Sequence, residues 1–276
     1  MGGEPASSGR NNLPAMPLRY EVTNGTAVLV LDRPEVLNAF NDDLGHAVLE
    51  AVQRASGDDA VRCIVITGEG RAFCSGEDLG ALAEGYERGE SAPLGNVIVD
   101  RYNPLIRAVT SAPKPVVAAV NGVAAGAGAS LALACDFRIA SEKAKLVLAF
   151  IKVGLVPDSG GIWFLTKMVG AAKAWELAAL GDPISAADAL RLNLFNRVVP
   201  PEEFDEAWRS FADQLASGPT KAFALTKRLL RSAMEHELDD HLDLEGELQA
   251  EAGRSRDHLE GVQAFLAKRA PRFEGK

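Results

Sequence analysis

An apolar strand that runs straight into a glycine- and alanine-rich helix constrains this chain more than any other segment. Lys114–Asp136 reads KPVVAAVNGVAAGAGASLALACD. Val116–Val120 has the unbroken apolar pattern of a strand buried on both faces. Asn121-Gly122 breaks it, and the small residues that follow start a helix. Small residues let a ligand approach the backbone closely and leave N–H groups aimed at it. Downstream, Val153–Gly161 reads VGLVPDSGG and puts one carboxylate, Asp158, at a turn before another helix. An amide cradle with a single carboxylate is suited to moving a proton beside a carbonyl.

The rest of the chain alternates strands and helices. Asn24-Gly25 between Tyr20–Thr23 and Thr26–Leu31 signals a hairpin. Asn41 is placed to cap a helix with Leu44, Val48, Ala51 and Val52 on one face. Val61–Thr67 reads as a buried strand, Asp78–Tyr86 as a helix, Glu87–Asn96 as a loop and Val97–Ser111 as a helix. Pro115 opens the next strand, and Asp136–Ala140 forms another. The repeated order suggests stacked ββα units, an α/β fold. From Pro200 the chain turns to charged amphipathic helices. Pro219 takes the first position of one that presents Ala222, Leu225 and Leu229, and others cover Leu238–Ala252 and Asp257–Lys268. We therefore divide the chain into a disordered tail (1–17), an α/β core (18–199) and a C-terminal helical region (200–276).

At 276 residues the chain can bury about 75% of its unfolded surface and needs no covalent staples. Its formal net charge of −9 argues against nucleic acid as a partner. No stretch has the length and apolar character of a membrane span, and the polar N-terminus does not read as a signal peptide, so a cytoplasmic location is expected. Cys63, Cys74 and Cys135 are spaced for neither a disulfide framework nor a zinc site. His46, His236, His241 and His258 fall outside the motifs and show no metal-ligand spacing, so no metal is expected.

Several segments together resemble the crotonase (enoyl-CoA hydratase/isomerase) superfamily: Leu31–Pro34 with Leu37–Phe40, Arg71–Leu79 (RAFCSGEDL), Lys114–Asp136 and Gly181–Ala187. They occur in the family's order and cover the chain from about Tyr20 onward. The resemblance implies a crotonase-type spiral of ββα units, with a C-terminal helical part that assembles trimers, often paired into hexamers. It implies an acyl-CoA thioester as substrate and no separate cofactor, coenzyme A being part of the substrate. The backbone N–H groups of Cys74 and Ala127 would then hold the oxyanion of an enolate. Ala72, Ser75, Gly76, Asp78, Leu79, Gly126 and Phe150 would line the substrate site, and Arg33 and Lys268 would reach coenzyme A phosphates. On the residues alone Cys74 also reads as a packed loop cysteine, Gly126–Gly128 as close helix packing, Arg33 and Lys268 as solvated charges, and Asp78 as a helix cap.

The family's hydratases use two glutamates, and the matching positions here are Ser130 and Phe150. Asp158 remains. By itself it reads as a helix cap, but the resemblance implies a catalytic carboxylate at this turn. Burial beside Phe150, Ile162 and Trp163 would raise its proton affinity. One base suffices for a 1,3-proton shift, so an acyl-CoA isomerase is expected. The segments Arg101–Leu105, Asn121–Leu133, Ala149–Gly161 and Ala252–Lys276 resemble the ring-1,2-epoxyphenylacetyl-CoA isomerase branch of phenylacetate breakdown, which forms an oxepin-CoA and can also shift a 3-enoyl double bond to the 2-position. Two alternatives stand beside it: a 2-enoyl-CoA hydratase, and a non-catalytic acyl-CoA-binding subunit. The acyl preference is expected to depend on the Leu79–Tyr102 region.

Overall fold

The computed structural model describes residues 16–90 and 93–276. The expected disordered tail falls mostly on residues 1–15, outside the described residues. Within them, the Pro17 carbonyl accepts from the Asp32 amide at 2.9 Å.

Strands β1 (Leu18–Thr23) and β2 (Thr26–Leu31) form an antiparallel hairpin. Its two turn residues, Asn24 and Gly25, have φ of 51° and 76°, the left-handed pair required by a type I′ turn. Helix α1 (Asp42–Gly57) starts where the Asn41 side chain accepts from the Leu44 amide at 2.9 Å. Three strand pairs follow: β3 (Cys63–Gly68) with β4 (Ala72–Cys74), β5 (Val116–Val120) with β6 (Val123–Ala125), and β7 (Phe137–Ser141) with β8 (Lys145–Val147). The first member of each pair joins a six-stranded sheet ordered β1-β2-β3-β5-β7, closed by a later strand, β10 (Arg197–Val199). The second joins a four-stranded sheet, β4-β6-β8, with β9 (Ile184–Ser185) at its edge. These are the turns of the expected ββα spiral. Strand β6 was not anticipated, because only three residues separate Gly122 from the glycine turn.

Side-chain alternation covers both faces of the large sheet. Leu29, Ile64, Ile66, Ala118 and Val120 pack toward α1 and the glycine-alanine helix. Val28, Cys63, Val65, Val117, Ala119 and Ile139 face the other way and are covered by Phe204, Trp208, Ala212 and Leu215.

Between β4 and β5 lie the short helices α2 (Ala83–Glu87) and α3 (Leu94–Val97), a π turn (Ile98–Tyr102) and helix α4 (Asn103–Ser111). Helical structure thus begins at Leu94, inside the segment expected to be a loop. The expected continuous helix over 97–111 instead widens just before Pro104. Proline has no N–H for the carbonyl one turn back, and the wider turn is one way to absorb that loss. Helix α5 (Ala127–Ala134) follows β6, and α6 (Gly161–Leu180) follows β8. After β9 come α7 (Ala186–Arg191), β10, and then α8 (Phe204–Ala216), α9 (Thr220–Glu235), α10 (Leu238–Gly253) and α11 (Arg256–Leu266). Pro219 sits at the cap of α9, one residue before the expected position. No helix among the described residues is long and apolar enough to cross a membrane.

Candidate active site

The glycine turns bring two loops together backbone to backbone. Gly76 has φ of 96°, and a Cβ there would lie 3.0 Å from the Ala125 carbonyl oxygen and 3.4 Å from the Ala127 nitrogen. Ala127 is the first residue of α5, so its N–H has no partner within the helix. Across the contact, the neighbouring amides are engaged: Ser75 donates to the Leu37 carbonyl at 3.0 Å, Gly76 to Cys74 Sγ at 3.5 Å and Asp78 to the Phe40 carbonyl at 2.9 Å. Glu77 pairs with Phe40 in a parallel bridge, so its own N–H points away from that strand. Among the described residues it has no protein acceptor.

Glu77 and Ala127 both line a cavity of about 320 Å³. Ser75, Gly76, Glu77 and Leu79 form one wall, and Gly126 and Ala127 another. Leu94, Val97, Ile98 and Tyr102 line it from the α3–π-turn segment, within the stretch expected to govern acyl preference. Phe150, Val153, Leu155 and Val156 close the remaining side together with Asp158.

The Asp158 carbonyl accepts from the Gly161 amide at 2.8 Å and from Ser130 Oγ at 2.9 Å, which pins the turn. Its carboxylate does not cap α6. Gly160 holds the cap position, and Asp158 Oδ1 accepts from Ser159 Oγ at 2.8 Å. Burial raises the proton affinity of Asp158; the Ser159 hydroxyl opposes this, the Glu77 charge adds to it and the Arg101 charge opposes it. Phe150, Leu155, Val156 and Tyr102 line the same cavity as Asp158. Ile162 and Trp163, also expected to desolvate Asp158, are absent from this cavity and are 38% and 37% exposed. Ser130 is fully buried and serves as a strut under the Asp158 turn.

Asp158, Ala127, Gly126, Ser75, Gly76, Leu79 and Phe150 therefore meet in one place. Other candidates lie elsewhere. Cys74 is fully buried in β4, paired with Ala124 and outside the cavity lining. Its sulfur accepts from the Gly76 amide, and burial pushes its thiol up to about 12. Ala72 is buried in the same strand, and its carbonyl accepts from Asn38 at 2.8 Å and Asn121 at 3.1 Å. Arg33 is paired with Asp78 at 2.9 Å and donates to the Ala39 carbonyl at 2.6 Å, bracing the loop behind the site. Lys268 is exposed beyond α11 and is absent from the cavity lining.

Glu77 is the residue that sequence reasoning missed. Its carboxylate is bound by Arg101 Nη2 and by the Tyr102 hydroxyl. The available signal was the acidic residue directly after Gly76 in the same turn. A second cavity, of about 400 Å³, lies among α4, α5, α6 and α9. Of its two carboxylates, Asp136 is bound to Lys227 at 2.8 Å and to the Val116 amide at 2.8 Å, and Glu235 pairs with Arg231 at 3.7 Å.

The family model for enoyl-CoA hydratase/isomerase matches residues 21–276. A "Probable enoyl-CoA hydratase" of Rhodobacter capsulatus is 47% identical over 94% of this chain and 98% of its own length. The 1,2-epoxyphenylacetyl-CoA isomerase of Escherichia coli is 46% identical over 92% and 97%. The crystal structure of an enoyl-CoA hydratase from Bacillus anthracis superimposes with a TM-score of 0.88 at 30% identity, covering 94% of this chain and all of that one.

Proposed function

Because the chain belongs to the enoyl-CoA hydratase/isomerase family and has the crotonase fold, we propose that it is an acyl-CoA isomerase with Asp158 as its single base. The acyl-CoA thioester carbonyl would sit between the Glu77 and Ala127 amides. Cys74 is replaced by Glu77 in this role, since Glu77 borders the cavity and Cys74 does not. Asp158 takes a proton from the carbon beside the carbonyl, and negative charge moves onto the thioester oxygen. Each amide that meets this oxygen is worth about 3–4 kcal/mol in the transition state. The dienolate of a 3-enoyl thioester takes the proton back at C4, leaving the 2-enoyl isomer. Coenzyme A is the handle on the substrate and no further cofactor takes part.

The observation that carries this reading is the difference between the two carboxylates of the cavity. Glu77 is held by a guanidinium and a phenol, whereas Asp158 has one hydroxyl partner and a raised proton affinity. A desolvated carboxylate with the fewer partners is the better base. The likeness to the epoxyphenylacetyl-CoA isomerase supports a ring epoxide of phenylacetyl-CoA as an acyl group worth testing beside linear 3-enoyl chains.

The test is double-bond migration in a 3-enoyl-CoA by the wild type and Asp158→Asn, with 2-enoyl-CoA hydration as the paired control. Migration in the wild type should fall at least about 100-fold in the variant. Unchanged turnover in a folded variant would sink the assignment. A hydratase is favoured by the Rhodobacter relative and by the presence of Glu77 as a second carboxylate, and fast hydration without migration would establish it. Turnover of neither substrate, with tight coenzyme A binding, would point to a binding subunit. The exposed apolar residues Trp175, Leu238, Phe265 and Leu266 support assembly into a trimer or a hexamer, which light scattering after gel filtration would measure.

A further inference from the structure

The Glu77 carboxylate sits in a specifically built clamp. Arg101 Nη2 lies 2.7 Å from Glu77 Oε1 and 2.5 Å from Oε2, and the Tyr102 hydroxyl donates to Oε2. Arg101 Nη1 continues to Asp42 Oδ1, 3.0 Å away on the first turn of α1. The guanidinium is only 4% exposed. Space for it comes from Gly45, where a Cβ would lie 2.3 Å from Arg101 Cδ. Arg101 Nε is buried with no acceptor, an arrangement that stability alone does not favour. The π turn before Pro104 sends neighbouring residues, Arg101 and Tyr102, to the same carboxylate.

Asp158 and Glu77 border one cavity, so the clamp holds fixed charges near the candidate base. The groups around the two carboxylates are Ser159 beside Asp158, Ser130 beneath its turn, Arg101 and Tyr102 on the π turn, Asp42 behind Arg101, and the Arg33–Asp78 pair next to Glu77. Cys74, from β4, is buried in the same core cluster as Tyr102.

We infer that Glu77, held in place by Arg101 and Tyr102, is a positioning residue for Asp158: the clamp fixes one negative and one positive charge at the wall of the cavity that Asp158 borders, and each acts on the base through its charge. The inference rests on reading Asp158 as the base. The same clamp anchors the side chain of a residue whose own amide has no protein acceptor among the described residues. Two fixed charges of opposite sign produce opposite effects when removed singly, which a purely structural role does not.

The experiment follows the Asp158 carboxyl directly, by infrared titration of the full-length, ligand-free protein. Its band is assigned by its loss in Asp158→Asn. Glu77→Gln keeps the shape and removes the negative charge, so the Asp158 midpoint should move to lower pH by roughly half a unit or more. Arg101→Met should move it to higher pH, and Arg101→Lys should return it toward the wild-type value. The acid limb of kcat/KM should follow the same order. Midpoints that stay in place, or that move in the same direction in Glu77→Gln and Arg101→Met, would overturn the inference. Should Arg101→Met not fold, Glu77→Gln decides alone, since its midpoint must fall. The outcomes separate from the activity test. Shifted midpoints with full turnover in Asp158→Asn would remove Asp158 as the base and leave the electrostatic coupling. Unmoved midpoints with lost turnover would do the reverse.

Discussion

Asp158 combines a fixed backbone with a carboxylate that has few partners. Ser130 and Gly161 hold its carbonyl, so the side chain projects into the cavity without capping α6. Burial favours the neutral acid, and the working form of a base is the carboxylate. The midpoint of the folded protein therefore lies above the ordinary value of 3.8, and activity should be lost on acidification earlier than for an exposed aspartate. A kcat/KM profile for the wild type should show an acid limb with its midpoint above that value. A limb at or below 3.8 would show that burial does not control this group. The same raised affinity means that Asp158 opposes folding at neutral pH: any stability it contributes is fully present only below the unfolded-state value and is lost as pH rises through the folded one.

At the level of elements, the site depends on how closely α5 can approach β4. Gly128 is where they meet. A Cβ there would lie 2.4 Å from the Cys74 carbonyl oxygen and 2.7 Å from its Cβ. Backbone cannot yield as a flexible side chain does. Gly128→Ala should therefore cost about 1–3 kcal/mol of stability, read as a lower denaturation midpoint. It should also weaken catalysis, because pushing α5 outward moves the Ala127 amide away from the Gly76 turn. A variant with the wild-type midpoint would mean that the two elements have slack. Much of this level was legible beforehand. Asn24-Gly25 specified a turn type, Asn41 a cap, and the apolar run at Val116–Val120 a strand buried on both faces. The π turn was not legible. A proline in a helical pattern announces a disturbance, yet whether the helix stops, kinks or widens depends on what the freed carbonyl and its neighbours pack against.

Across the whole molecule, segments distant in sequence close the structure. Asp257 is 3% exposed and accepts from the Glu274 amide at 2.7 Å and the Gly275 amide at 2.8 Å, folding the C-terminus back onto α11. Arg62, just before β3, donates to the Phe273 carbonyl at 2.8 Å and to Thr220 Oγ1 at 3.0 Å. One guanidinium thereby ties the sheet to α9 and to the tail. Asp257→Ala removes a buried acceptor from two amides, which costs about 1–3 kcal/mol. It should make the last residues accessible to carboxypeptidase while the core stays folded. Equal resistance in the variant and the wild type would show that the remaining contacts, among them Arg62 to the Phe273 carbonyl and the Asp257 amide to the Lys276 carbonyl, suffice to retain the tail.

The local patterns in the sequence determined most of the elements and, through the order of its motifs, the family. Periodicity, caps and turn residues act over a few positions, and neighbouring residues suffice to express them. The resemblance carried by those motifs is what pointed to Asp158 and Ala127; on local features alone the first reads as a helix cap and the second as part of a close helix packing. Only the tertiary structure decided that Cys74 turns into β4 while Glu77 borders the cavity, and that Arg33 is taken up by Asp78. The meeting of Glu77, Arg101 and Asp42 likewise depends on it, since 24 residues separate the first two and 59 the last two. Which charges end up facing one another across such distances is set by the path of the loops and by the room left by residues such as Gly45. No short stretch of sequence carries that information.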